Sequence, residues 1–246
     1  MAHRGDSAHL PENTLEAFDA AIGAGAEVVE FDVRMTADGV PVVMHDATVD
    51  RTTEGSGLVR SMTLEEIRSL RIRRPGGGAA GVPTLQDVLR ALAGRAAADI
   101  EIKNVPGDAD FDPDREDAVD ATLAALEAVG FDGPVIVSSF NPLSLAHCRR
   151  TAPEVPTGLL TDPSVDADAG LTFASEQGDA WVLPFAGAVL AAPGFAERAH
   201  AAGIRVGTWV SDEPAEAVAL MRAGVDAVAT NDPRAIVAAR RVAFGS

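Results

Sequence analysis

Short apolar or alternating runs change places with longer stretches of helical spacing from one end of the chain to the other. That rhythm predicts a parallel sheet covered by helices. Leu15, Phe18 and Ile22 fall on one helical face just after Asn13 and Thr14. Thr63 with Glu66, and Thr84 with Asp87, have the spacing of capping boxes, and Leu85, Val88, Leu89 and Leu92 continue the second. Further helices are predicted over 118–129, 142–150, 194–202, 213–223 and 233–242. Strands are predicted to start at Met1, Val28, Ala98, Val135, Thr157, Trp181, Ile204 and Asp226. Eight strands alternating with helices in 246 residues match one α/β domain, a (β/α)8 TIM barrel. The run 41–45 follows the turn Thr36-Ala37-Asp38-Gly39 too closely for a parallel crossover, so it is expected as a hairpin after strand two. Residues from about 47 to 83 are expected to form a small insertion over the barrel mouth.

The same period of two sorts charge inside the barrel. Val29, Phe31 and Val33 face the helices, which leaves Val28, Glu30 and Asp32 facing inward. On the next barrel strand Ile100 and Ile102 face out, whereas Asp99, Glu101 and Lys103 face in. Glu30, Asp32 and Glu101 then converge at the C-terminal rim, where such barrels keep their chemistry. Buried carboxylates are too costly to ionise together without a cation. All-oxygen ligands favour a hard ion, Mg²⁺ or Ca²⁺, over zinc. The competing reading is an ion-pair cluster neutralised by Lys103 and Arg34.

Composition narrows the partner. The formal net charge of −17 argues against a nucleic-acid binder. It also requires any site for an anion to carry its own positive charge, which a metal ion with Arg4 and Lys103 would supply. The single cysteine, Cys148, excludes an intramolecular disulfide. The start Met1-Ala2-His3-Arg4-Gly5 lacks an apolar signal region, and no stretch approaches a membrane span, so a cytoplasmic chain is expected. His3 and His45 both end runs that flank the acidic strand. Imidazole titrates near neutrality, so such a pair can divide acid and base duties.

At this point a family comes into view. His3-Arg4-Gly5, Pro11-Glu12-Asn13-Thr14, Val29-Glu30-Phe31-Asp32-Val33, His45-Asp46 and Asp50-Arg51-Thr52-Thr53 stand in order. Glu101-Ile102-Lys103, Ser138-Ser139-Phe140-Asn141, Thr208-Trp209 and Gly224-Val225-Asp226-Ala227-Val228 continue the series. The whole chain resembles the glycerophosphodiester phosphodiesterases. The resemblance implies a barrel whose Glu30, Asp32 and Glu101 bind one divalent cation, with His3 and His45 as the acid–base pair. It implies Arg4 and Lys103 on the phosphate, helped by Asn13, and Phe140 and Trp209 as walls of a glycerol pocket. The implied reaction cleaves a glycerophosphodiester to sn-glycerol-3-phosphate and an alcohol. Attack by water, or by the substrate's own 2-hydroxyl to give a cyclic phosphate, both remain open, as does a barrel that only binds phosphodiesters.

Three departures stand out. Trp209-Val210-Ser211-Asp212 replaces the family's Trp-Thr-Val-Asn, and Thr230-Asn231-Asp232-Pro233 replaces Thr-Asp-x-Pro. Only two residues precede His3, so either the natural start lies upstream or the first strand is thin. Other signals carry less. Asp108, Asp110, Asp112 and Asp114 alternate but miss the EF-hand pattern, and an acidic solvated loop is expected. The glycine run 76–78 lacks a P-loop's lysine and is expected to be a flexible connection. His9, His147 and His200 are expected to be bystanders, and Asp46 either to orient its neighbour or, the preferred reading, to cap the turn that follows it.

Overall fold

The computed structural model describes residues 1–73 and 81–245, so the glycine run 76–78 lies outside the described residues. Eight parallel strands form the sheet: β1 (Ala2–His3), β2 (Val28–Met35), β4 (Ala97–Ile102), β5 (Val135–Ser139), β6 (Thr157–Leu160), β7 (Trp181–Leu183), β8 (Arg205–Thr208) and β9 (Ala227–Val228). The ends meet just beyond β9. Ala2 bridges Thr230 in parallel, with His3 N donating to Thr230 O at 2.9 Å and Thr230 N to Met1 O at 3.1 Å. A closed sheet has no unpaired edge, and the chain is a (β/α)8 barrel. The remaining strand, β3 (Pro41–Val43), runs antiparallel to β2, with Val33 opposite Val43.

Helices α1 (Leu15–Ala24), α3 (Leu85–Leu92) and α4 (Asp117–Val129) cover one side of the barrel. Their apolar faces bury Phe18, Leu89 and Val119 against Val29, Phe31, Val33, Ile100 and Ile102, the outward residues of β2 and β4. Phe18 and Phe31 meet with ring centroids 5.8 Å apart. The other side carries α5 (Pro142–Thr151), α6 (Ala167–Gln177), α7 (Ala186–Leu190), α8 (Phe195–Ala201), α9 (Pro214–Arg222) and α10 (Pro233–Phe244). Both capping boxes form: Thr63 opens α2 (Leu64–Ser69) and Thr84 opens α3, each with a reciprocal N3 carboxylate. Helices α6 and α7 were not predicted. Their buried faces are Ala167, Gly170, Leu171, Ala174, Ala186 and Val189, mostly small residues that leave a weak periodic signal.

Two residues of the first loop are held in an uncommon backbone region. Arg4 and Asn13 have φ of 57° and 58°, the left-handed region in which non-glycine residues are rare. Gly5, with φ 86°, follows Arg4, and a Cβ there would lie 2.7 Å from the backbone of Ala17. Only glycine fits this approach of loop to helix.

Candidate active site

Parallel register places the predicted acids side by side. Asp32 on β2 lies opposite Glu101 on β4, and His3 on β1 opposite Glu30 on β2. One carboxylate oxygen from each of Glu30, Asp32 and Glu101 lies within 4.8 Å of the others, and all three residues are buried. Glu30 and Glu101 line a cavity of about 220 Å³ together with His3, Arg4, His45 and Lys103. Lys103 is paired to both neighbours, with its Nζ 3.0 Å from Asp32 Oδ1 and in close contact with Glu101 Oε1. Arg4 Nε lies 3.2 Å from Asp32 Oδ2, and the Arg4 backbone N–H donates to Glu30 Oε2 at 2.9 Å. Arg34 does not join the cluster. Its buried guanidinium donates to Asp108, to Asp110 and, at 2.7 Å, to the carbonyl of His45, so two acids of the alternating run anchor a loop instead of facing solvent.

The charge balance is uneven. Burial, then Asp32 and Glu101, push the Glu30 carboxyl well above its ordinary range. Burial also raises Glu101, against the pull of Lys103. For Asp32 burial works in the same direction, but Lys103 and Arg4 override it and hold the group ionised. Beneath the triad Asp99, which accepts from Ser138 Oγ at 2.6 Å, is pushed up to about 7, first by burial.

Four buried polar atoms here lack hydrogen-bond partners: Glu30 Oε1, Asp32 Oδ1, Asn13 Oδ1 and Arg4 Nε. Lys103 and Arg4 approach Asp32 as ion pairs without the alignment of hydrogen bonds, so those distances and the lack of partners agree. Unpaired buried atoms cost about 1–3 kcal/mol each and call for a ligand. Orphan oxygens on two of three converging carboxylates, Glu30 and Asp32, suit a hard cation, and an orphan guanidinium N–H suits an anion. The residues therefore fit a divalent ion beside a phosphate. Asn13 takes a less direct place than expected: its Nδ2 donates to Asp32 Oδ2 at 2.7 Å, and the left-over atom is an acceptor.

Both imidazoles line this cavity, with different supports. His45 Nδ1 is 2.7 Å from Asp46 Oδ1, and Arg51 clamps Asp46 and Glu12 together. Asp46 thus orients its neighbour and does not simply cap a turn. His45 is lowered from its usual value by burial, with Asp32 opposing. His3 Nδ1 lies 2.7 Å from Asn231 Oδ1, and its Nε2 is 4.0 Å from Glu30 Oε2. Burial and then Arg4 lower His3 to about 4. An aromatic wall closes the cavity: Trp209 meets Phe140 edge-on at 5.3 Å and Phe185 at 5.6 Å. Phe185, Glu12, Arg51 and Asn231 stand behind the lining side chains, and the first three carry no sequence pattern that marks them as candidates on their own. Asn231 follows the last strand directly, and the rule that barrel chemistry gathers at strand C-termini was the signal for it.

The remaining histidines hold structural partners: His9 with Asp6, His147 with Asp120 and His200 with Asp226. Among the described residues no helix is long and apolar enough to cross a membrane.

The chain is similar to known proteins in sequence and in fold. Residues 3–235 match the model of the Glycerophosphoryl diester phosphodiesterase family. A glycerophosphodiester phosphodiesterase from Caldanaerobacter subterraneus subsp. tengcongensis is 35% identical over 246 residues, covering 96% of this chain and 95% of its own. Among solved structures, a glycerophosphodiester phosphodiesterase from Agrobacterium tumefaciens superposes with TM-score 0.81 at 29% identity, covering 96% of this chain and 97% of its own. An Oleispira antarctica phosphodiesterase, solved with the product sn-glycerol-3-phosphate, gives TM-score 0.81 at 26% identity over 97% of this chain and 94% of its own.

Proposed function

Because the chain belongs to the glycerophosphoryl diester phosphodiesterase family, we propose that it hydrolyses glycerophosphodiesters to sn-glycerol-3-phosphate and an alcohol with the help of one divalent cation. The observation that carries this reading is the buried triad of Glu30, Asp32 and Glu101, two of them with an unpaired oxygen, beside buried Lys103, half-buried Arg4 and a cavity that both imidazoles line. The ion, Mg²⁺ or Ca²⁺, would be held by those three carboxylates and would polarise the phosphoryl group and offset its charge.

The chain's own residues account for the rest of the chemistry. Arg4 Nε, buried without a hydrogen-bond acceptor, and Lys103 Nζ bind the phosphoryl oxygens. His3 is backed by a neutral amide and buried, which favours uncharged imidazole; its Nε2 takes the proton of the attacking hydroxyl. His45 is backed by the Asp46 carboxylate, which favours imidazolium against the burial that lowers the ring, and its Nε2 returns a proton to the leaving alkoxide. Asn13 holds Asp32 in place. Phe140 and Trp209 give the glycerol carbons an apolar wall, with Lys103 Nζ 6.0 Å from the centre of the Phe140 ring.

A coupled assay for released glycerol-3-phosphate, run across choline, ethanolamine, glycerol and inositol diesters with and without chelator, tests this. Turnover that stops with chelator and returns with Mg²⁺ or Ca²⁺ is expected. Chelator-resistant turnover, or none on any diester, would refute it.

A further inference from the structure

The rim holds a hydrogen-bond chain that the chemistry above does not use. Asp212, in the loop that follows β8, accepts three bonds: from Thr230 Oγ1 at 2.9 Å, the Asn231 backbone N–H at 2.7 Å and Asn231 Nδ2 at 2.8 Å. A carboxylate of this kind can only accept, so the Asn231 side-chain NH₂ must face it. The Asn231 carbonyl is thereby turned the other way, to Ser7 Oγ at 3.0 Å and His3 Nδ1 at 2.7 Å. An amide oxygen cannot donate either, so His3 Nδ1 must carry the hydrogen between them. On a neutral ring the Nε2 lone pair is then bare, on the side of Glu30.

The backbone rigidifies this chain. Ala2 pairs with Thr230 where the barrel closes, so His3 and Asn231 are neighbours across the seam, and Ser7 Oγ also lies 2.8 Å from His3 O. Positions 212 and 231 are two of the places where the sequence departs from its family resemblance, and here they touch. Each carries the partner's chemistry, acid where an amide is expected and amide where an acid is expected.

We propose that Asn231, itself oriented by Asp212, is the positioning residue that fixes His3 as the Nδ1–H tautomer and presents Nε2 to the reacting hydroxyl. The catalytic half of this statement rests on the reading of His3 as the proton acceptor; the tautomer half does not.

The test uses the full chain labelled with ¹⁵N-histidine. Long-range ¹H–¹⁵N correlation spectra at neutral pH report which ring nitrogen of His3 carries hydrogen, whether or not any substrate is turned over. His3 of the unaltered protein is expected to show a single Nδ1–H form. Asn231→Ala should give the averaged pattern of a ring without a fixed partner and lower kcat roughly 10–100-fold with little change in KM. Asn231→Asp sets two carboxylates face to face and should also lose activity. Adding Asp212→Asn to it restores one donor and one acceptor, and should return kcat to within a few-fold while the Nδ1–H signature reappears. An Nε2–H form in the unaltered protein would overturn the proposal, as would a tautomer indifferent to Asn231→Ala or a double exchange no better than Asn231→Asp alone. Absence of turnover in every variant with the spectra behaving as expected would sink the reading of function and leave the tautomer assignment standing.

Discussion

Asp99→Asn should stabilise the metal-free protein, by an amount set by pH. Asp99 is 1% exposed, below the triad, and its pKa is pushed from 3.8 to about 7 by burial, with Glu101 and Asp32 adding repulsion and Ser138 opposing. A raised carboxyl binds more protons in the folded than in the unfolded state, so the group costs stability as pH climbs from 3.8 to 7 and a constant amount above. At 1.36 kcal/mol per pH unit the full cost is about 4 kcal/mol. Asparagine keeps the oxygen that accepts from Ser138 and replaces the protonated carboxyl with an amide of the same shape. For a domain of this size about 4 kcal/mol corresponds to roughly 10 °C in Tm. Thermal melts in chelator from pH 4 to pH 9 measure it. The gain should be near zero at pH 4, grow through pH 5 to 7 and then level off. A gain that does not vary with pH, or a loss at pH 8, would refute the reasoning, since a packing effect has no reason to follow a proton.

Other expectations concern the chemistry. His45→Ala should lower kcat by roughly 10²–10⁴ with its melting temperature nearly unchanged, because the ring is partly exposed and its proposed role is proton transfer; a near-normal rate would remove it from the mechanism. Lys103→Met should reduce kcat/KM by roughly 10²–10³ through loss of a phosphoryl contact, measured at saturating metal; an unchanged value would assign Lys103 to charge balance alone. Phosphorus NMR of the products should show glycerol-3-phosphate from the earliest time points, and a cyclic phosphate accumulating first would instead assign attack to the substrate's 2-hydroxyl. Phe31→Ala, on the outward face of β2 against Phe18, should cost about 3–5 kcal/mol in urea melts, and a loss under 1 kcal/mol would refute the packing described for that face.

What the sequence revealed and what it hid follow from one distinction. Alternation along 28–33 and 98–103 predicted both faces of β2 and β4, because a strand's period is rigid and its outer face is wholly apolar. Register then had little choice but to set Asp32 beside Glu101. The partners of those side chains were not legible. Arg34 has the same parity as Asp32 and was a candidate to neutralise it, yet its length carries it to Asp108 and Asp110 on another loop. Asp46 could be read as orienting its neighbour or as capping a turn, and the bond to His45 with the brace from Arg51 decides for the first. Asn231 and His3 are separated by almost the whole chain and meet only because the barrel closes. Helix α6 escaped because alanine and glycine fill its inner face, a shape signal with little hydrophobic contrast.

The central claim is that Glu30, Asp32 and Glu101 together hold a hard divalent ion. A crystal grown with calcium tests it most directly. The account predicts one anomalous peak with an oxygen from each of the three carboxylates at about 2.3–2.6 Å, and the same peak absent in Glu101→Ala. Lys103 and Arg4 still paired to those carboxylates at saturating calcium, with no peak among them, would contradict it.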